Sequence, residues 1–277
     1  ISTERLNKII EINDEENYAI IQPGITLNYL KNELNHFNLF YPPDPTELNC
    51  FIGGNVATNA SGARTFKYGP TRNFIEELEI ILPSGDEINL KRGREKVQDY
   101  LLRININSDK ELLIQIPRIK MPNTKNAAGY YCKKNMDALE LFIGSEGTLG
   151  IVTQIKIKLL KNIKTHFSAI IFFDKEEDGL NFIIDARNLS YHSNTTQSKK
   201  LIDASAIEFF DYNSLQFIDR DKIHFKQNAN CAVWIEQEIF DNEDEVLNEW
   251  LNLIKQNNST EENIFLATSK KDEEMIR

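Results

Sequence analysis

"FIGGNVATNASGARTFKYG" (residues 51–69) decides how the rest of the chain is read. It gathers four of the twelve glycines, three alanines and two asparagines into one short run. Backbone this bare either makes tight turns or presses against something that is not protein, because glycine has no Cβ to hold a neighbour away. A second run, "GSEGTLG" (144–150), repeats the character. Just before the first lies "YPPDPTE" (41–47), a stiff loop in which Pro42, Pro43 and Pro45 fix φ and remove backbone donors. Either run alone reads as turns. Together with the rigid loop they read as backbone amides aimed at a large anionic ligand. A diphosphate can be bound by such N–H groups without Lys or Arg, which suits a chain of formal net charge −10.

Outward from this run the pattern is α+β. Residues 7–12 and 17–22 are apolar runs about an acidic turn, and 74–82 and 86–90 flank Pro83-Ser84-Gly85, so two hairpins are expected. Thr26 is placed to cap a helix over 27–37, with Leu27, Leu30, Leu34 and Phe37 on one face. The stretch 91–136 holds the apolar "LLIQI" (112–116) and otherwise reads as loop, and helical pattern returns at 137–143. Residues 151–159 alternate apolar and polar as a half-buried strand does. Beyond residue 160 strand-like segments (166–173, 204–210, 231–239, 263–268) alternate with helix-like ones (175–189, 212–218, 242–256, with Asp241 as N-cap). This predicts a second α+β unit of the split βαβ kind, and domains 1–160 and 161–277.

Composition and missing motifs exclude several classes. The acidic balance argues against a nucleic-acid partner, and no apolar run approaches the ~20 residues of a membrane span. Cys50, Cys132 and Cys231 are scattered and form no CxxC pair, which fits a reducing compartment, and with no visible leader a cytoplasmic location is expected. GxGxxG, GxxxxGK[ST] and GxSxG are absent. His36, His166, His192 and His224 show no paired spacing, so no metal site is expected. Lys156, Lys158, Lys161 and Lys164 read as a solvated strand face, with docking to an electron-transfer partner or anionic membrane as the other reading. Trp234 and Trp250 read as core. Tyr130 and Tyr131 read as packing, or as rings able to stack on a flat ligand.

Two stretches carry a resemblance. "YPPDPTELNCFIGGNVATNASGARTFKYGPTRNFIEELEIILPSGDEI" (41–88) and "LFIGSEGTLGIVTQIKIKL" (141–159) resemble, in the same order, the two signatures of the FAD-linked oxidases with the vanillyl-alcohol-oxidase-type flavin fold. The subgroup they look most like holds D-lactate dehydrogenases, glycolate oxidase flavoprotein subunits and D-2-hydroxyglutarate dehydrogenases. "NKIIEINDEENYAIIQPGITLNYL" (7–30) matches too, and "AIEFFDYNSLQFI" (206–218) is weakly similar to the start of that family's substrate cap. The resemblance implies the second subdomain of such an FAD-binding domain followed by part of an α+β, ferredoxin-like cap.

It also implies roles. Pro43, Asp44, Pro45, Thr46 and a Gly53-Gly54 turn would line the flavin. Thr58, Asn59, Ala60, Ser61 and Gly62 would follow the diphosphate and ring, with Tyr68 and Gly69 closing that segment. Glu146, Gly147, Thr148, Leu149, Gly150 and Ile151 would hug the cofactor from the other side, the Glu146 carboxylate accepting from ribose hydroxyls or backbone N–H groups. Phe51 stands where the family usually has Thr, and Ser61 where it has Gly. The implied activity is oxidation of a small 2-hydroxy acid such as D-lactate or glycolate by hydride transfer to FAD. Electrons would pass on to a quinone, a cytochrome or a flavoprotein. A sugar or aldonolactone oxidase on the same fold is the alternative, as is a flavin-free structural homologue. Family members carry a Gly-Gly-Gly-Thr-Ser-like loop upstream and a His-rich motif downstream. The chain is therefore expected to be a central piece that binds little FAD alone, with its catalytic base elsewhere.

Overall fold

The computed structural model describes residues 2–107, 110–162, 165–192, 201–218, 223, 225, 228–240 and 242–276; Lys164, His224 and Asp241 lie outside them. The chain divides into two compact units, Ile1–Gly62 with Tyr68–Asn162, and Ala63–Lys67 with Ile163–Arg277.

The first unit opens with the hairpin β1 (Ile9–Asn13) and β2 (Tyr18–Ile21). Helix α1 (Leu27–Asn35) starts where the Thr26 hydroxyl accepts from the Tyr29 amide, and it buries Leu27, Leu30 and Leu34. The helix stops at Asn35, two residues short of Phe37, which is left exposed. The short β3 (Leu39–Phe40) leads to α2 (Ile52–Thr58). Here the structure departs from the expected Gly-Gly turn: both glycines lie in the first turn of a helix. Two glycines weaken a helix by about 1 kcal/mol each. Tertiary bonds hold this one instead, since Ile52 N–H donates to Ile25 O (2.8 Å) and Gly53 N–H to Pro23 O (2.8 Å), while Ile52 and Val56 are buried. The left-handed Asn59 (φ 48°) ends it.

After α3 (Thr65–Tyr68) come β4 (Ile75–Ile81) and β5 (Glu87–Lys91), then a hairpin the sequence pattern does not announce, β6 (Leu101–Asn107) with β7 (Lys110–Gln115). The helical pattern at 137–143 resolves to a single 3-10 turn, Ala138–Leu141. Strand β8 (Ile151–Lys158) inserts between the two hairpins and gives the order β1-β2-β8-β4-β5, antiparallel throughout. Its Ile155 and Ile157 are fully buried. The short β9 (Leu160–Lys161) pairs with β3.

The second unit is built from β10 (Thr165–Phe173), α4 (Glu176–His192), β11 (Ala204–Phe210), α5 (Tyr212–Leu215), β12 (Cys231–Ile239), α6 (Glu243–Gln256), β13 (Ile264–Leu266) and α7 (Lys270–Ile276). Its sheet runs β11-β12-β10-β13, all antiparallel, which is the ferredoxin-like arrangement of two split βαβ halves. Phe173, Phe182, Trp250, Val233 and Ile235 form one side of its core. β12 is buried along its whole length, so its polar residues are paired. Trp250 Nε1–H donates to Gln237 Oε1 (3.0 Å), and Glu236 and Glu238 accept from Arg64 (2.6 Å) and Lys67 (2.7 Å).

Candidate functional site

The two small-residue runs meet in the first unit. Gly144 N–H donates to Val56 O (2.9 Å) and Glu146 N–H to Ala57 O (2.8 Å), so the loop after the 3-10 turn is docked on the last turn of α2. Positive φ at Gly144 (83°), Glu146 (53°) and Gly147 (73°) turns that loop back on itself. Between loop, helix and sheet lies an open cleft of about 580 Å³, walled by Pro23, Gly53, Gly54 and Ala57 on one side and Phe142, Ser145–Gly147, Gly150 and Ile151 on the other, with Ile81–Pro83 beneath.

The neighbouring glycines of α2 do different work. A Cβ on Gly53 would sit 2.5 Å from Pro23 Cβ, so this glycine lets the helix touch the preceding loop. A Cβ on Gly54 would meet nothing within 4 Å, and the same holds for Gly147 across the cleft. Neither packing nor a left-handed backbone requires glycine at 54; the open space beside it belongs to the cleft. Among the described residues the Gly54 and Gly147 amides also have no acceptor. The lining holds no Lys, Arg or His, and Glu146, exposed, is its one charge. Bare backbone and free amides can bind a flat, anionic group without any cationic side chain. The nearest thiols, Cys50 and Cys132, are pushed above the ordinary cysteine range by burial, which removes nucleophilic character.

Of the residues singled out from sequence, Gly53, Gly54, Glu146, Gly147, Gly150 and Ile151 come together in this cleft. The others are not among its lining residues. Asp44 is ion-paired with Lys31, and its carbonyl sits so close to Gly62 that a Cβ there would be 1.8 Å away, which locks the loop of Pro43, Pro45 and Thr46 against the end of the small-residue run. The Thr58 hydroxyl donates to Gly54 O (2.9 Å), and Ala60 O accepts from both the amide and the hydroxyl of Thr71 (3.0 and 2.8 Å). Ser61 is half-buried, Tyr68 packs edge-on against Phe40, and Asn73 fills the space beside Gly69. Thr148 hydrogen-bonds Tyr130 (2.8 Å), whereas Leu149 faces a neighbouring apolar cavity of about 430 Å³ that also contains Cys132. Tyr131 lies under the Arg72 guanidinium.

Sequence reasoning passed over Pro23, Ala57, Phe142 and Ser145, which line the cleft, and the cluster of Arg72, Arg92 and Glu140, which bonds the carbonyl just before Gly144. The available signal was Glu140 itself, the one charge inside the apolar run "ALELFI" (138–143). Among the described residues no helix is long and apolar enough to cross a membrane.

Residues 1–91 match the FAD binding domain family. The chain is 30% identical over 237 residues to the glycolate oxidase subunit GlcD of Bacillus subtilis, covering 85% of this chain and 41% of that protein. It is 35% identical over 179 residues to a D-lactate dehydrogenase of Anaerostipes hadrus (64% of this chain, 30% of that one). It is also 29% identical over 216 residues to a D-2-hydroxyglutarate dehydrogenase of Stutzerimonas stutzeri (78% and 36%). The chain thus spans less than half the length of these three curated relatives. In fold it superposes on alkyldihydroxyacetonephosphate synthase with a TM-score of 0.67 at 18% identity, over 98% of this chain and 44% of that one.

Proposed function

We propose that this chain is a member of the FAD-linked oxidases with the vanillyl-alcohol-oxidase-type flavin fold and holds FAD in the cleft between α2 and the 144–151 loop for the oxidation of a small 2-hydroxy acid of the D-lactate or glycolate kind. The observation that carries the reading is Gly54: a helical glycine without a left-handed φ that faces the cleft, with open space where a Cβ would stand and, among the described residues, no acceptor for its amide. When bound, FAD supplies the hydride acceptor. The chain's own work is to bind and orient it. The amides of α2 and the loop would face the phosphates, and Ile151 with Ile81–Pro83 would keep water from one side. Asp44, Thr58–Gly62 and Tyr68-Gly69 would hold the wall in place, and residues 161–277 would contribute to a substrate cap. The substrate class rests on what the relatives are named for, and the electron acceptor we assign is a quinone, a cytochrome or a flavoprotein.

The test is flavin titration of the full-length gene product, followed by anaerobic addition of substrates. The expected result is a yellow protein bleached by D-lactate, glycolate or D-2-hydroxyglutarate. Bleaching by sugars alone would overturn the substrate class. A protein that never takes up FAD would overturn the whole reading.

A further inference from the structure

Bonded to the residue just before the 144–151 loop is a charged cluster with no counterpart in the sequence reading. Glu140 is 7% exposed and stands between two arginines. Arg72 Nη1 pairs with one carboxylate oxygen and also donates to Glu140 O (3.0 Å), and Arg92 Nη1 donates to the other carboxylate oxygen (2.6 Å). Arg92 spends its remaining nitrogens on the carbonyls of Ile75 (2.8 Å) and Arg72 (2.9 Å), both away from the loop. Arg72 does otherwise. Its Nη2 donates to Ile143 O (2.8 Å), the carbonyl just before Gly144, and its backbone N–H donates to Asn59 Oδ1 (3.0 Å), the residue that ends α2. The guanidinium lies 4.3 Å from the Tyr131 ring centroid, and a Cβ on Gly144 would stand 3.6 Å from its Nη2.

A single residue therefore bonds both segments that form the cleft, at the point where each turns toward it. A planar guanidinium can satisfy a carboxylate and two carbonyls at once, which a lysine ammonium cannot do in the same plane.

We propose that Arg72 is the positioning residue of the flavin site: it clamps the 144–151 loop to the end of α2 in its binding conformation. The inference rests on the flavin reading for its ligand, but not for the clamp.

The experiment compares Arg72→Lys with Arg92→Lys in the full-length protein. Arg92 is the control because it shares Glu140 but makes no bond to the loop. Three quantities are read: apo melting temperature, FAD dissociation constant, and amide exchange at Gly144 and Glu146 in the apo protein. Arg72→Lys should weaken FAD by about tenfold or more and speed exchange at both amides, while Arg92→Lys leaves both within about twofold. Equal effects of the two variants, scaling with loss of melting temperature, would reduce Arg72 to a structural role, as would an Arg72→Lys protein with unchanged affinity and protection. Should Arg72→Lys fail to fold, Tyr131→Leu removes the ring beneath the guanidinium and keeps its hydrogen bonds. A smaller shift in the same direction then supports the clamp, and none overturns it. If the wild type itself binds no FAD the flavin reading fails, and the exchange comparison still decides the clamp.

Discussion

Gly54 separates a structural from a functional glycine more cleanly than any other position. Its φ is not left-handed and an added methyl meets open space, so Gly54→Ala keeps the fold and, as a helix residue, gains up to about 1 kcal/mol in propensity. The same methyl points into the volume assigned to the cofactor. The expected outcome is an unchanged or raised apo melting temperature with FAD weakened by roughly a hundredfold, the loss of two charge-assisted hydrogen bonds. Gly53→Ala should behave in the opposite way. Its methyl meets Pro23 Cβ at 2.5 Å and Pro23 O at 3.0 Å, and the strain costs about 1–3 kcal/mol whether or not flavin is present. Calorimetry and flavin titration on both variants check this; a Gly54→Ala protein with wild-type affinity would remove the backbone of α2 from the site.

At the scale of elements, β8 does most to hold the first unit. Each hairpin closes locally, but the two become one sheet only because β8 pairs with β2 on one side and β4 on the other, while its N-terminal end carries the cleft residues Gly150 and Ile151. Ile157 is fully buried between Ala19 and Ile75. Ile157→Ala should cost about 2–5 kcal/mol in denaturant unfolding. Ile151→Ala, at the half-exposed cleft end, should cost clearly less. Similar losses at the two positions would mean that β8 is not anchored as described.

For the whole molecule, the two units have separate sheets and separate buried clusters. Hydrogen exchange should accordingly find two groups of slowest amides, one around Ile155–Ile157 and one in β10 and β12 around Ile170–Phe172 and Val233–Ile235. One protected group confined to a single sheet would count against two cores. Much of this was legible in the chain itself. The period-2 pattern of β8, the cap at Thr26, the hairpin turns and the alternation after residue 160 are short-range signals, because propensity and capping act between residues a few positions apart. The small-residue runs marked where backbone had to be bare. What they could not tell is why. That a Cβ on Gly53 would meet Pro23 while one on Gly54 would meet open space, that "IGGNVAT" is a helix, and that Arg72 and Glu140, 68 positions apart, form a pair are decided by contacts between remote segments. Local sequence determines which conformations are cheap; only the packed chain decides which neighbours each residue meets, and so which glycine is a hinge of the fold and which a window of the site.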